Sequence, residues 1–258
     1  MNNENELTRL KARCAEAGLE LREEPEGLTL CGNGLELRGD FTRMMPRLRQ
    51  GNLQREFLVK ASRIKGLGDH PFAVDATAGL GEDSILLAAA GYYVRMYEHN
   101  PVIAALLRDA LRRAAEIPEL KDYAARMELV EGDSTEALAE MGRWEDKAGE
   151  TTGEERQAAR TEAIPAVPDL ILLDPMFPAR QKSALIGKKL QLLQKLEMPC
   201  ASEEALLSAA LGTGARRVIV KRPLKGPYLA GKKPDYSITG KAIRYDCFVI
   251  ARKSDPTS

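Results

Sequence analysis

A glycine-rich turn, Asp75-Ala76-Thr77-Ala78-Gly79-Leu80-Gly81-Glu82-Asp83, follows the apolar stretch Phe72-Ala73-Val74 and opens a helical pattern. Gly79 and Gly81 carry no Cβ, so the backbone there can take positive φ and approach a ligand closely. In a dinucleotide fold such a turn aims a helix N-terminus at pyrophosphate. Here Glu82 and Asp83 stand where pyrophosphate would sit, and two carboxylates repel a dianion. S-adenosylmethionine has no phosphate and carries an ammonium, a carboxylate and a sulfonium, so acids beside the turn are compatible with it. The turn favours the sulfonium cofactor over NAD, with an NAD-dependent oxidoreductase as the alternative.

Two further strand ends carry acids. Glu98 closes the next apolar run, 23 positions after Asp75, where a carboxylate can accept hydrogen bonds from both ribose hydroxyls. His99 beside it is placed to flank an adenine. A third run ends in Glu131-Gly132-Asp133-Ser134, which puts Asp133 and Ser134 within reach of the adenine edge. Glu98 and Asp133 can also be read as caps of the helices that follow. Three acids at three successive strand ends weigh against capping alone.

The fourth apolar run ends in Asp174-Pro175-Met176-Phe177. An Asp-Pro turn at a strand end resembles the (Asn/Asp)-Pro-Pro-(Tyr/Phe) motif of methyltransferases that act on exocyclic base amines. An exocyclic guanine amine is a poor nucleophile because its lone pair is delocalised into the ring. It needs acceptors that hold its protons and aim the lone pair at the methyl group. Asp174 and the Pro175 carbonyl are the candidate acceptors, proline fixing the turn in advance. Phe177 offers a ring for the target base to stack on. Such a base must be splayed from its neighbours. The plainer alternative makes Asp174 a turn former and Phe177 a core contact.

The elements that must position these groups follow from periodicity. Strands are expected at 72–75, 92–98, 126–131, 169–174, 217–221 and 243–251, and helices at 82–90, 101–115, 134–141, 182–196 and 202–211. Strands alternating with helices specify an α/β fold, a doubly wound, Rossmann-like sheet with ligand at the C-terminal strand tips, and the resemblance of the Asp-Pro turn to base-amine methyltransferases implies the class I methyltransferase type. Before it, residues 1–50 form a small N-terminal α+β subdomain, with a helix at 5–17 and a hairpin or meander at 19–37. A helix at 53–64 leads into the main domain, 51–258. Residues 142–168 are polar and charged and are expected to be a mobile insertion.

The chain has 258 residues and a formal net charge of zero, which gives no bulk argument for nucleic acid. Its distribution is uneven. Between Arg180 and Lys233 there are twelve Lys and Arg against three acids, and between Arg38 and Lys65 eight bases against two acids. Arg180, Lys182, Lys188, Lys189, Lys221 and Arg222 are therefore candidates for RNA phosphates, the alternative being solvent-facing charges. The four cysteines lack CxxC spacing and the only histidines are His70 and His99, so no metal is expected. No apolar run approaches the roughly 20 residues of a membrane span, and the N-terminus lacks a signal-peptide layout, so a cytoplasmic protein is expected.

Four phrases, VDATAGLGEDS (74–84), VRMYEHNPVIAALL (94–107), LLDPMFPARQKSAL (172–185) and RRVIVKRP (216–223), resemble the RsmJ-like bacterial 16S ribosomal RNA (guanine-N2)-methyltransferases. The similarity runs from about Gly51 onward. It implies S-adenosylmethionine at Glu82, Asp83, Glu98, His99, Asp133, Ser134 and Asp174, and methylation of one guanosine in 16S rRNA or the small ribosomal subunit. His99 stands where arginine is expected, and Asp133 where a smaller polar residue is common. Other readings remain open: methylation of adenine N6 or another nucleic-acid amine, and a non-catalytic RNA-binding module.

Overall fold

The computed structural model describes residues 3–148, 167–175, 192, 195–196 and 202–250. Helix α1 (Asn3–Glu16) leads into a three-stranded antiparallel meander, β1 (Glu20–Glu24), β2 (Gly27–Gly32) and β3 (Leu35–Leu37). Four short helical pieces follow, a 3-10 turn (Phe41–Met44) and α2 (Met45–Leu48), α3 (Gln50–Leu53) and α4 (Phe57–Ser62). The expected single helix over 53–64 is thus broken. Glu56 is extended (φ −59°, ψ 130°), and its carboxylate receives both Nε and a terminal nitrogen of Arg47 at 2.8 Å. A bidentate ion pair fixes the chain where propensity alone would continue the helix.

The main domain alternates β4 (Phe72–Asp75), α5 (Glu82–Ala89), β5 (Tyr93–Glu98), α6 (Pro101–Ala115), α7 (Lys121–Ala124), β6 (Met127–Glu131), α8 (Ser134–Ala148), β7 (Leu170–Leu173), α9 (Glu203–Gly212) and β8 (Arg217–Pro223). It closes with β9 (Tyr236–Thr239) and β10 (Ile243–Val249). The seven strands lie in the order β6-β5-β4-β7-β8-β10-β9, with β10 antiparallel to both its neighbours. The order reverses between β4 and β7, which is where an open α/β sheet receives its ligand. The α/β expectation holds. β9 was not anticipated: Tyr-Ser-Ile-Thr is short, mostly exposed and at the sheet edge, so it shows no apolar run. Helix α8 continues past 141 to Ala148, into the segment read as an insertion, while 149–166 and most of the helix expected at 182–196 lie outside the described residues.

Each central strand is apolar on both faces because helices cover both. In β7, Leu170 and Leu172 pack with α4 and α5, while Ile171 and Leu173 pack with Leu138 of α8 and Leu206 and Leu207 of α9. A third cluster joins the meander to the main domain. Leu21, Leu30 and Leu37 pack on Val102, Ala105 and Leu106 of α6, with Leu192 and Leu196. Phe41, Met44 and Leu48 reach the main core itself.

The meander is also pinned by one carboxylate. Asp109 of α6 accepts from Leu28 N at 3.0 Å and from Arg113 Nε at 2.9 Å, and Arg113 donates in turn to the Gly39 carbonyl. Replacing Asp109 with Ala strands a half-buried β2 amide and frees Arg113, a loss of about 1 to 3 kcal/mol. Chemical denaturation should register this, and hydrogen exchange should show the Leu28 amide losing protection. Unchanged exchange at Leu28 would mean that apolar packing alone seats the meander.

Candidate functional site

The tips of β4, β5, β7 and β8 converge on the turn 76–81. Gly79 has φ 55° and Gly81 φ 76°, both left-handed. Their surroundings differ. A Cβ on Gly81 would lie 2.8 Å from Leu107 Cδ1 and 3.1 Å from the Phe41 ring, so the turn is pressed onto α6 and the 41–44 segment. A Cβ on Gly79 would meet nothing within 4 Å, so the turn is open on that side. Glycine is needed in one place for close packing and in the other for an uncovered backbone surface.

Two hydrogen bonds join the turn to neighbouring strand tips. Glu98 accepts from Gly79 N at 3.0 Å with one carboxylate oxygen and from Asn100 N at 2.7 Å with the other. The Asp174 amide donates to Thr77 Oγ1 at 2.6 Å, tying the β7 turn to the glycine turn. Asn100 caps α6 through Val102 N and Ile103 N, and its amide nitrogen donates to the Leu196 carbonyl.

Three carboxylates gather here. Asp75 is 2% exposed and accepts from Ser84 Oγ at 2.5 Å and Thr77 N at 3.1 Å. Burial pushes its carboxyl up to about 7, the Ser84 hydroxyl opposing the shift and Asp83 and Asp174 adding to it. Lys221, from the tip of β8, places its ammonium 2.6 Å from Asp83 and 2.9 Å from Asp174. Burial works against that charge, yet the two aspartates outweigh it and hold the ammonium above its ordinary value. Desolvation lifts the Asp174 carboxyl, Lys221 pulls it back and Asp83 adds to the lift. Tyr245 of β10, opposite Lys221 in register, is raised by burial and by Asp83.

This donor set suits a ligand that is itself cationic. Glu98, the open Gly79 surface and the acids around 75–83 offer carboxylates and backbone to an ammonium, a sulfonium or sugar hydroxyls, and little to a pyrophosphate. The residues fit S-adenosylmethionine.

Comparison with known proteins agrees. The profile of the SAM-dependent methyltransferase family SAM_MT matches residues 5–148 and 151–250. A ribosomal RNA small subunit methyltransferase J from Thioalkalivibrio sulfidiphilus is 38% identical over 258 residues, covering 93% of this chain and 92% of the relative. The chain belongs to this methyltransferase family. A second relative of that name, from Pseudomonas aeruginosa, is 40% identical over 75% of this chain, and the match spans 65% of that relative's length, just under two thirds. A crystal structure of a SAM-dependent methyltransferase from Neisseria gonorrhoeae superposes with a TM-score of 0.63 at 32% identity, over 90% of this chain and 83% of that one.

The structure of this family member brings together Asp75, Gly79, Gly81, Asp83, Glu98, Asp174 and Pro175 of the residues singled out in the sequence. Glu82, His99 and Asp133 are exposed nearby, and Asp133 accepts from Thr135 N at 2.7 Å as a helix cap. Ser134 begins α8. Phe177, Arg180, Lys182, Lys188 and Lys189 lie outside the described residues. Two of the residues considered for RNA phosphates sit elsewhere than on an open basic face: Lys221 is bound within the acid cluster, and Arg222 is 1% exposed. Thr77, Ser84, Asn100 and Tyr245 were missed. Lys221 carried a usable signal, since it ends an apolar run as the acids do; Tyr245 carried none, lying mid-strand in an unremarkable pattern.

A buried carboxyl raised to about 7 has a signed consequence for stability. Its charged form is disfavoured in the folded chain, so its contribution is best below the ordinary 3.8 and is lost as pH rises through about 7. Asp75→Asn removes that titration. The stability of the variant relative to wild type should therefore climb between pH 4 and pH 7, roughly the interval between those values, and then level off. Thermal melts across that range check this; a constant offset at every pH would refute the assignment to Asp75.

Proposed function

We propose that this chain transfers the methyl group of S-adenosylmethionine to the exocyclic N2 amine of a guanosine in 16S ribosomal RNA, acting on the RNA or on the small subunit that contains it. The observation that carries the transfer is the 2.6 Å bond from the Asp174 amide to Thr77, which fixes the acceptor turn directly against the cofactor turn. The relatives named ribosomal RNA small subunit methyltransferase J support the RNA substrate.

S-adenosylmethionine, when bound, supplies a methyl group on a positively charged sulfur. Gly79, Glu98 and the acids of the turn would hold it, with His99, Asp133 and Ser134 at the adenine side. Glu98, at the tip of β5 and bonded to the Gly79 amide, would face the ribose hydroxyls. Asp174 and the Pro175 carbonyl would accept hydrogen bonds from the two amine N–H groups and so direct the lone pair at the methyl carbon. Asp174 must be ionised to accept, and Lys221 at 2.9 Å favours that form. After transfer the amine carries an extra proton, which Asp174 can take. Phe177 would stack on the splayed base.

The substrate assignment is tested by mapping methylated nucleotides in small-subunit rRNA from a bacterial strain lacking this protein. One guanine N2 methylation should vanish and return with the intact gene. An unchanged guanine profile, or loss at an adenine, would end the N2 proposal.

The acceptor chemistry is tested through Lys221 and Asp174. Asp174→Ala should lower the single-turnover rate by about 100-fold. Lys221→Met removes the cation that eases Asp174 ionisation, so the acidic limb of the kcat/KM profile should move to higher pH. Lys221→Arg should move it less. Activity lost with an unmoved limb would reduce Lys221 to a scaffold.

A further inference from the structure

Beyond the strand tips, two buried arginines support an exposed loop. Arg244 of β10 donates through one terminal nitrogen to the carbonyls of Pro223, Leu224 and Gly226, each at 2.9 Å, and through the other to Pro227. Its Nε is held by Asp246 at 2.9 Å. Arg222 donates to the Pro227 carbonyl at 3.1 Å and faces Glu203 at 3.5 Å. The loop they hold includes Ala230 in the left-handed region (φ 49°, ψ 26°), where an alanine is strained. Burying two guanidiniums to fix irregular surface backbone is costly, and it makes physical sense where the loop must keep one shape for a partner.

What the loop presents indicates the partner. Leu224 and Tyr228 are 36% and 38% exposed, and Arg244 lies over the Tyr228 ring at 5.0 Å. The Leu224 amide bonds the Ala242 carbonyl, joining the loop to the β9–β10 turn, and Gly240 of that turn lies against Phe57. Phe57 is 37% exposed and carries Lys60 over its ring. Tyr228, Leu224 and Phe57 thus present apolar and aromatic faces along a ridge of linked backbone that runs from the loop through the β9–β10 turn to α4. Lys225, Lys232, Lys233 and Lys241 are exposed on the loop and its neighbouring turns, without an acidic partner among the described residues. Of the acids alongside, Glu56 pairs with Arg47, Glu203 with Arg222 and Asp246 with Arg244, while Asp235 accepts from the Val249 amide.

We infer that this arginine-clamped ridge, running from Tyr228 through Leu224 to Phe57 with Lys225, Lys232, Lys233 and Lys241, docks the unpaired RNA strand that flanks the methylated base. The inference rests on the function proposed above and adds a location for the substrate. Free lysines neutralise phosphates, and planar or apolar faces receive unstacked bases, a combination that single strands satisfy and duplexes do not. The position is suitable. Pro223 is two residues beyond Lys221, and β8 is parallel to β7, so the ridge begins at the sheet edge that bears Asp174.

The test measures binding apart from turnover. Affinity for a labelled single-stranded RNA oligonucleotide is followed by fluorescence anisotropy over a salt series, and S-adenosylmethionine affinity by calorimetry, for the full chain. Lys225→Glu with Lys241→Glu should weaken RNA binding roughly ten-fold or more and flatten the salt dependence. Tyr228→Ala should weaken it about five-fold with the salt slope kept. Cofactor affinity and melting temperature should stay at wild-type values. Lys121→Glu, on α7 at the far edge of the sheet, serves as the charge-reversal comparison. RNA affinity unchanged in the ridge variants, an equal loss in Lys121→Glu, or duplex RNA bound as tightly as single strand would each overturn the inference. If wild type binds RNA through the ridge but methylates no ribosomal guanine, the functional proposal fails and the ridge stands.

Discussion

The ammonium of Lys221 is the interaction on which the strand-tip arrangement depends. Asp75, Asp83 and Asp174 come from three elements, β4, α5 and the turn after β7, and they converge because the sheet topology brings those elements together. Three ionised carboxylates in one crevice would repel each other and resist desolvation. Lys221 at 2.6 Å and 2.9 Å from two of them relieves that repulsion, and the third is relieved by a hydroxyl bond and a raised carboxyl. The crevice is thereby left acidic without being unstable, the condition a cationic ligand needs.

That balance connects chemistry to packing. Lys221 reaches the acids because β8 lies beside β7, and β8 is held there by apolar contacts on both faces, Val218 and Val220 on one and Ile219 on the other. The glycine turn is seated by Gly81 against Leu107 and Phe41, so residues from the N-terminal segment and α6 help to define the cofactor side. The site is built by elements from the whole chain, and its polar groups are mutually bonded before any ligand arrives. Pre-bonded groups need little rearrangement at the moment of reaction.

Most of the architecture was legible because parallel strands covered on both faces write themselves as apolar runs. Leu170–Leu173 is unmistakable on that account, and so is the amphipathic α6 with Asn100 and Pro101 at its start. The exceptions have specific causes. Tyr236–Thr239 is an edge strand with little to bury, and the break at Glu56 comes from an ion pair to a residue nine positions away. Of the site, the glycines and acids were readable because their types are demanded locally. The Lys221 bridge was half legible: its place at the end of an apolar run marked it for the site, but a lysine there looks the same whether it meets water, phosphate or two aspartates. Thr77 was hidden likewise, its hydroxyl serving a strand almost a hundred residues away.

The placement of β10 between β8 and β9 bears on how the chain is made. β8 does not pair with the strand that follows it in sequence but with the one after, and among the described residues β9 has β10 as its sole neighbour in the sheet. During synthesis the outer edge of β8 therefore stays bare, and β9 has no neighbour, until β10 has emerged. Arg244 and Tyr245 arrive with that same strand, so the loop clamp and the last wall of the acid crevice form together. The last strand to be made is thus the one that both completes the sheet and closes the acid crevice.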